Sequence, residues 1–387
     1  MTTTPLPQYR RSRVADPLGI PTLGVEEEFL LLNPDTGDTV ALADEVIAAL
    51  PAEARVNSRQ ELRASMIEMV SPVCGTLGEL AGQLTGLRRA ASAASAAVGA
   101  RLVAVGATPM GDPNRGVPPD PRYLTMSRRY GPLVHDPAVC GCHVHVGVPD
   151  RELAVQVCNH LRLWLPAVQA LAANSPLHEG SDTGYASWRS MQLLRWPSLG
   201  PTPYFDGAAA YDRTVATLIE SGVMLDEGMT YWYARPSARY PTVEVRVGDV
   251  CLTVDDTVLV AGLVRAMVAT AIDDINAGGL APQVPDSLVS AAHWHAAKEG
   301  LDGTLVDLRS GKTRPAWELV TDLLGLVEAA LRRHGDLEFV TAGLARVREQ
   351  GNGATRQRRL HRQTGDVRAL LAVLAHQTEE NTPYAQT

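Results

Sequence analysis

The chain has 387 residues and is poor in lysine, in aromatic residues and in long apolar runs. Lys298 and Lys312 are its only lysines, and 43 acidic residues against 35 basic ones give a formal net charge of -8. A protein that binds nucleic acid needs a basic excess on the face that meets the phosphates, so this balance argues against such a partner. No stretch approaches the ~18 apolar residues of a transmembrane helix, which argues against a membrane protein.

Cysteine is scarce as well, with five residues in the whole chain. The first residues, MTTTPLPQYRRSR, are polar and basic, and no apolar signal segment follows them. Structural disulfides belong to oxidising compartments, so an odd number of cysteines without such a signal predicts a reduced, cytoplasmic protein.

Two common nucleotide-binding motifs are absent. The run Ser310–Thr313 reads SGKT like the end of a P-loop, but Val306 stands where that motif requires glycine. No G-x-G-x-x-G opens a helix after a strand, which removes the kinase-type and dinucleotide-binding interpretations. A nucleotide would then be bound mainly through metals that carboxylates hold.

The hydrophobic pattern predicts strands and helices interspersed along the chain. The predicted strands are 22–32, 66–73, 101–105, 140–148 and 242–250. The predicted helices are 43–51, 76–100, 150–173 and 253–277, and beyond residue 280 the pattern is entirely helical, with segments at 285–299, 315–334, 336–350 and 365–376. The regular βαβ spacing of a doubly wound sheet is missing, so we predict an α+β fold with an antiparallel sheet.

Three consecutive glutamates occupy the first predicted strand, in the run GVEEEF. Alternation along a strand places Glu26 and Glu28 on one face and Glu27 on the other. Two carboxylates about 7 Å apart on one sheet face raise each other's pKa unless a cation lies between them. The motif therefore indicates a site for a divalent metal, with Mg²⁺ or Mn²⁺ as the cations that suit oxygen ligands. A solvated edge strand with its charges outward is the alternative.

The strand at 140–148 carries two histidines with the same spacing of two residues. Its run CGCHVHV invites a zinc interpretation, but the cysteines project to one face and His143 and His145 to the other, so four ligands cannot converge. We predict that the cysteines are small core residues and that the histidines join the polar face of the sheet. A structural role for the histidines is the alternative.

A third strand repeats the pattern with Glu244 and Arg246 between valines. A cross-strand ion pair on a solvated sheet would explain these two residues equally well. Glu68 lies alone among apolar neighbours, where an unpaired charge is costly, and Glu61 adds an acid upstream. If the strands share one sheet, their polar face holds carboxylates for two or three metal ions and an arginine for a phosphate oxygen. Such a set of metal ligands with an arginine suits phosphoryl transfer.

These segments also resemble a known family. The matching runs are GVEEEF, the Glu61–Glu68 segment, GCHVHVGVPD, EGSDTGYASWRS, ARPSARYPTVEVRVGDVC and TVDD, in this order over roughly residues 20 to 300. They resemble the bacterial carboxylate-amine ligases of the type 2 glutamate-cysteine ligase family, in the glutamine synthetase-like superfamily. The resemblance implies the glutamine synthetase/guanido kinase-like catalytic fold, an antiparallel sheet that forms a funnel covered by helices.

The resemblance also implies roles for individual residues. The implied metal ligands are Glu26, Glu28, Glu61, Glu68, His143 and Glu244. His145 and Arg246 would contact the ATP, and Arg246 with Glu244 would be catalytic. Glu61 is seven residues from Glu68, so the chain must bend between them if both face the site.

Substrate-binding residues are predicted from the loops. Arg189 and Arg235 are the candidates for substrate carboxylates, and Tyr185 and Trp188 are weaker candidates that could equally be packing residues. By resemblance the domains are a flexible leader at 1–20, a ligase core at 21–280 and a helical C-terminal part of the same domain at 281–387.

The implied reaction is ATP-dependent amide formation through an acyl phosphate, with weak glutamate-cysteine ligase activity. The partners would be a glutamate-like acid and a cysteine-like amine, and a homodimer is the family's expectation. A guanido or phosphagen-type kinase on the same fold and a non-catalytic nucleotide-binding scaffold are the alternatives.

Overall fold

An antiparallel sheet of seven strands forms the centre of residues 19–380, the part of the chain that the structure, a computed structural model, describes. Two further strand pairs are separate hairpins, β6–β7 and β10–β11. The strands are β1 (Leu23–Leu32), β2 (Ser58–Gln60), β3 (Met66–Val70), β4 (Arg101–Val103), β5 (Gly141–Gly147), β6 (Leu177–His178), β7 (Ser181–Asp182), β8 (Ala234–Pro236), β9 (Thr242–Asp249), β10 (Thr304–Asp307) and β11 (Lys312–Pro315).

The order in the large sheet is β2-β3-β1-β5-β9-β8, with β4 paired to the end of β1. Side chains alternate between its two faces. Val25, Val144 and Val245 lie on the face that joins the main hydrophobic core, whereas glutamates, histidines and Arg246 lie on the other. One face is therefore packed on helices, and the opposite face is left to line a cavity.

Helices cover the apolar face. The helices are α1 (Ala43–Ala49), α2 (Ala52–Arg55), α3 (Leu77–Ala97), α4 (Pro121–Tyr130), α5 (Arg151–Leu161), α6 (Leu165–Ala172), α7 (Trp188–Leu193), α8 (Ala208–Glu220), α9 (Val254–Asn276), α10 (Asp286–Glu299), α11 (Ala316–His334), α12 (Leu337–Gln350), α13 (Gly353–Thr364) and α14 (Val367–Glu379). Short 3₁₀ helices span Gly131–His135 and Glu227–Met229.

The central helix is α9, which is buried over most of its length and packs against α3, α5, α11 and α12. It begins at a side-chain cap, because the hydroxyl of Thr253 accepts a hydrogen bond from the amide of Asp256. Helix α3 begins in the same way, where Thr76 and Glu79 form a capping box. Local capping chemistry therefore sets the start of both long helices beneath the sheet.

The predicted α+β fold with an antiparallel sheet is confirmed, and most element boundaries agree within a few residues. The prediction that the chain is entirely helical beyond residue 280 is wrong, because β10 and β11 form a hairpin there. The SGKT run lies at its turn, where Gly311 has a φ of +69°. The predicted helix 150–173 is two helices, α5 and α6, and α13 was missed because its sequence is almost wholly polar.

The C-terminal helices pack onto the same central elements. Helices α11 and α12 contact α9, and α14 contacts α3 and β4. The division at residue 280 stays a prediction, and the predicted leader falls outside the described residues except for its last two. Within residues 19–380, no helix is both long enough and apolar enough to cross a membrane.

Candidate active site

Strand register brings the predicted acids and histidines together. Glu26 lies directly opposite His143 across β1 and β5, and Glu28 lies opposite Glu68 across β1 and β3. The third pair, His145 and Glu244, is opposite across β5 and β9. Because directly opposite residues in an antiparallel pair share a face, three neighbouring pairings build one polar cluster.

The middle glutamate of the run has a different environment. Glu27 points to the helical face, where the guanidinium of Arg88 binds it at 2.5 Å and the hydroxyl of Thr257 donates to it at 2.7 Å. All three side chains are buried. The predicted division of the three glutamates between two faces is therefore confirmed, and Glu27 ties β1 to α3 and α9.

Glu61 reaches the cluster because the chain bends after β2. Residues 61–65 form turns between β2 and β3, which supplies the bend that the seven-residue separation from Glu68 requires. Ligand atoms of three groups lie within 4.8 Å of one another: Glu26, Glu68 and His143; Glu26, His145 and Glu244; and Glu28, Glu61 and Glu68. The metal ligands inferred from the resemblance thus stand together, although their metal-binding role stays a prediction.

The electrostatics of the cluster reflect an excess of buried acid. Burial and the neighbouring Glu28 carboxylate raise the pKa of Glu61 to about 8. Burial, followed by Glu26 and Glu61, raises the pKa of Glu68 well above its usual range. Burial also acts to raise the pKa of Glu26, but the rings of His143 and His145, which lie 3.3 and 3.4 Å from its two carboxylate oxygens, hold it well below its ordinary value. Two of the acids therefore lack a compensating positive charge.

The donor set fits divalent cations. The Nε2 atoms of His143 and His145 are buried and have no hydrogen-bond partner among the described residues. Burial and the nearby Arg246 cation lower the pKa of His143, so its ring is neutral near pH 7, the state in which imidazole binds a metal. Carboxylate oxygens around these rings make a site that Mg²⁺ or Mn²⁺ would suit.

Glu244 is the least available of the predicted ligands. Arg235 binds both of its oxygens, with Nε to Oε2 at 3.0 Å and Nη2 to Oε1 at 3.2 Å, and Arg246 also donates to Oε1. Burial opposes ionisation, but the two guanidinium groups keep the pKa of Glu244 below its usual range. The structure therefore shows Glu244 holding two arginines in place.

A cavity of about 260 Å³ opens in front of the cluster. Arg246 and Arg189 line it together with Glu26, Glu28, Glu61, Glu68 and His143. Arg189 lies in the first turn of α7, and its Nη1 is 3.9 Å from an oxygen of Asp249. Its Nε has no hydrogen-bond partner among the described residues, so this buried guanidinium faces the cavity with donors to spare.

Two residues that sequence reasoning missed lie beside the guanidinium of Arg189. Asp249 is buried and accepts hydrogen bonds from the amide of Asn174 and from the hydroxyls of Ser175 and Ser187. A Cβ atom at Gly141 would collide with the guanidinium of Arg189, so the glycine leaves the space that the arginine occupies. No periodic pattern identifies such a pair, although Asp249 follows the recognised Glu244 and Arg246 on one strand.

The other predicted substrate residues lie away from this cavity. Arg235 is engaged by Glu244 and donates to the carbonyl of Thr230, so contact with a substrate carboxylate would require breaking these bonds. Tyr185 and Trp188 pack against each other with ring centroids 5.5 Å apart, and Lys298 lies over the Tyr185 ring. Neither aromatic residue lines the cavity, which favours the packing interpretation.

A second cavity of about 300 Å³ adjoins the cluster at its other side. Its walls are mainly apolar and include Val70, Val73 and Tyr240, while Glu26 and His145 form its inner end. Glu26 therefore lines both cavities and lies between them.

Solved structures of other proteins share this fold. A glutamate-cysteine ligase from Francisella tularensis, solved in complex with AMP, superposes with a TM-score of 0.67 at 13% identity, over 94% of this chain and 90% of that one. A bifunctional glutathione synthetase from Pasteurella multocida gives 0.62 at 15% identity, over 92% of this chain and 52% of that one. These two likenesses show the fold that the chain shares with those enzymes, an antiparallel sheet with helices on one face and an acidic cluster on the other.

The family follows from sequence. The model of glutamate-cysteine ligase family 2 matches residues 22–373, and the chain belongs to that family. A relative from Salinispora arenicola, named "Putative glutamate-cysteine ligase 2", is 64% identical over 96% of this chain and 98% of its own length. A relative from Mycolicibacterium vanbaalenii with the name "Putative glutamate-cysteine ligase 2-2" is 50% identical over 94% of this chain and 99% of its own. The predicted family and ligase class are confirmed.

Proposed function

We propose that this enzyme joins the side-chain carboxylate of glutamate, or of a closely similar acid, to an amine at the expense of ATP. The observation that carries the proposal is that Glu26 lines two cavities of different character. An acidic cluster between an apolar cavity and a cavity with arginines suits a phosphoryl group that passes from a nucleotide to an acid.

The second cavity suits the nucleoside. Its valines, prolines and Tyr240 offer the apolar and aromatic surface on which a purine packs. A nucleoside there would direct its phosphates toward Glu26 and His145. Mg²⁺ held by Glu26, Glu28, Glu61, Glu68 and His143 would neutralise the phosphate charge and polarise the phosphoryl oxygens.

The first cavity suits the acid. Arg189 would bind the carboxylate that does not react, because its guanidinium is buried and still has free donors. An oxygen of the reacting carboxylate attacks the γ-phosphorus, and the bond to the bridging oxygen of ADP breaks. Arg246, which Glu244 holds, would donate to the transferring phosphoryl oxygens.

The second step needs no nucleophile from the protein. The amine nitrogen attacks the carbonyl carbon of the acyl phosphate, phosphate leaves with the bonding electron pair, and the nitrogen loses a proton to form the amide. Cysteine, the acceptor in the relatives' names, is the nominal amine, and we expect weak glutamate-cysteine ligase activity. The five cysteines of the chain, all buried and free, have no part in this chemistry.

Hydroxylamine tests the activation step without knowledge of the natural amine, because it traps an acyl phosphate as a hydroxamate. The full chain with glutamate, ATP and Mg²⁺ should release ADP and form the hydroxamate, and Glu28→Gln should lose both. Glu220→Gln, a change of the same kind at an exposed helix end, should keep both. A stable phosphorylated product without hydroxamate would instead support a phosphagen-type kinase. A cytoplasmic location and a homodimer remain predictions.

A further inference from the structure

The cavity that holds Arg189 has two unlike walls. One wall is the acidic face of the sheet, and the other is built from apolar and aromatic side chains of α4, α7 and neighbouring segments. Tyr123, Met126, Leu133, Leu193, Trp196 and Tyr231 represent this second wall.

Most of the guanidinium groups that line the cavity are hydrogen-bonded within the protein itself. Arg246 is paired with Glu244, and Arg122 binds both oxygens of Asp226 at 2.7 and 2.9 Å.

A third guanidinium, that of Arg63, is buried and donates to the carbonyl oxygens of Arg115 and Asp136. Arg189 is different, because its closest contacts within the described residues are a carbonyl oxygen at 3.5 Å and the Asp249 carboxylate at 3.9 Å. Of the four arginines that line the cavity, Arg189 is therefore the one whose guanidinium makes no hydrogen bond shorter than 3.5 Å within the described residues, which leaves its donors for a substrate carboxylate.

One free guanidinium matches one carboxylate. Glutamate joined to an α-amino acid would bring two carboxylates that do not react, one from each substrate. Suppose that Arg189 binds the non-reacting carboxylate of the acid. The carboxylate of the acceptor would then be buried against an apolar wall without a partner, which is strongly unfavourable. An acceptor without a carboxylate avoids this cost and gains from packing on Trp196 and Tyr231.

We propose that the preferred acceptor is an amine with an apolar or aromatic body and no carboxylate. This inference rests on the proposed function, since it concerns the second substrate of the same reaction. It also gives a physical reason for a weak reaction with cysteine, whose carboxylate finds no free cation.

Matched pairs of amines test the inference. Phenethylamine and phenylalanine differ only in the carboxylate, and so do cysteamine and cysteine. With glutamate, ATP and Mg²⁺, we expect kcat/KM for each decarboxylated amine to exceed that of its amino acid by tenfold or more, measured as ADP release and as amide by mass spectrometry. Equal or higher values for cysteine and phenylalanine would overturn the inference and leave the proposed function intact. Failure to form a hydroxamate with hydroxylamine would overturn both.

A positive charge added to the apolar wall provides a second, independent test of where the acceptor binds. Leu193→Arg places a guanidinium beside the space for the acceptor and should shift the preference toward phenylalanine by tenfold or more relative to phenethylamine. Leu124→Arg adds the same charge to an exposed position outside the cavity and should leave the ratio unchanged. Hydroxamate formation by both variants verifies that they are folded and active. An unchanged ratio in an active Leu193→Arg variant would contradict the placement of the acceptor at this wall.

Discussion

Glu28 and Glu68 lie directly opposite each other in the antiparallel pair of β1 and β3, with both side chains buried. Like charges at opposed positions destabilise a sheet, and burial increases the effect because water cannot screen them. The arrangement therefore costs stability in the protein alone and becomes favourable with a cation between the two carboxylates. A site of this kind lowers the stability of the folded protein and favours binding of the cation.

Removing one of these carboxylates should have opposite effects on stability and activity. Burial raises the pKa of Glu68, so above the ordinary pKa of a glutamate the unfolded chain ionises while the folded protein retains the proton, and stability falls with rising pH. Glu68→Gln removes this loss. At pH 8 with EDTA, we therefore expect the free energy of unfolding in urea to be higher for the variant than for the wild type.

The same variant should lose the effects of the cation. Mg²⁺ should raise the melting temperature of the wild type but not of Glu68→Gln, and hydroxamate formation should be abolished in the variant. Glu220→Gln provides the control, because its side chain is exposed at the end of α8 and lines neither cavity. A destabilised Glu68→Gln protein, or one that still responds to Mg²⁺, would argue against a metal at this pair of strands.

Arg246 should be needed for the shape of its side chain as well as for its charge. Its Nη1 donates to Glu244 and lies 3.4 Å from Nδ1 of His143, so this end of the guanidinium is held and its other donors remain for a phosphoryl group. Arg246→Lys keeps the charge but loses the planar fork, and ADP release should fall by about a hundredfold or more. Steady-state kinetics should show the loss in kcat, with KM for the acid little changed. A rate close to that of the wild type would show that Arg246 does not stabilise the transferring phosphoryl group.

Strand periodicity was enough to predict the polar face of the sheet. Alternation assigned Glu26, Glu28, His143 and Arg246 to one side, and the structure agrees because a period of two is dictated by the pleat. The register between neighbouring strands cannot be predicted in this way. That Glu28 faces Glu68 depends on how far β3 slides against β1, which turn geometry and burial settle together.

The sequence could not distinguish between the two arginines predicted to bind substrate. Arg189 and Arg235 both come from polar, aromatic-rich segments, but one faces the cavity and the other is bound by Glu244. The difference depends on side-chain direction in three dimensions, which carries no one-dimensional signature. Tyr185 and Trp188 pack against each other and do not line the cavity, and the sequence could not show this because aromatic residues in a loop serve packing as readily as binding.

His293 should make the folded protein sensitive to mild acid. Its Nδ1 lies 2.6 Å from the side-chain oxygen of Gln169, and its ring packs on Tyr233. Burial, with a smaller contribution from the Arg162 cation, lowers the pKa of His293 from 6.5 to about 3. The unfolded chain therefore binds a proton near pH 6.5 that the folded protein does not accept.

Stability should consequently fall as the pH drops below 6.5, by at most about 1.4 kcal/mol per pH unit from this group. Urea unfolding at pH 7.5 and 5.5 measures the loss. His293→Asn, which keeps a donor for Gln169 but has no titrating ring, should lose less stability between the two pH values than the wild type. An identical loss in both proteins would show that His293 does not carry the acid sensitivity.

Gly141 should control binding of the acid through Arg189. Its φ is not in the left-handed region, so alanine introduces no backbone strain, but the added Cβ would collide with the Arg189 guanidinium. The arginine must then move from its place beside Asp249. The same Cβ would lie 3.1 Å from Nε2 of His143, a closer approach than normal packing but a milder one than that to Arg189. We therefore expect Gly141→Ala to raise KM for glutamate between about tenfold and a hundredfold, as small misplacements of binding groups do, with a smaller rise in KM for ATP. Gly82→Ala is the matched control, because a Cβ there meets no atom within 4 Å on α3 and should stabilise the helix by about 0.5–1 kcal/mol. A selective rise in the KM for glutamate connects the glycine to Arg189, whereas equal losses for both substrates would indicate that the methyl group disturbs the strand itself.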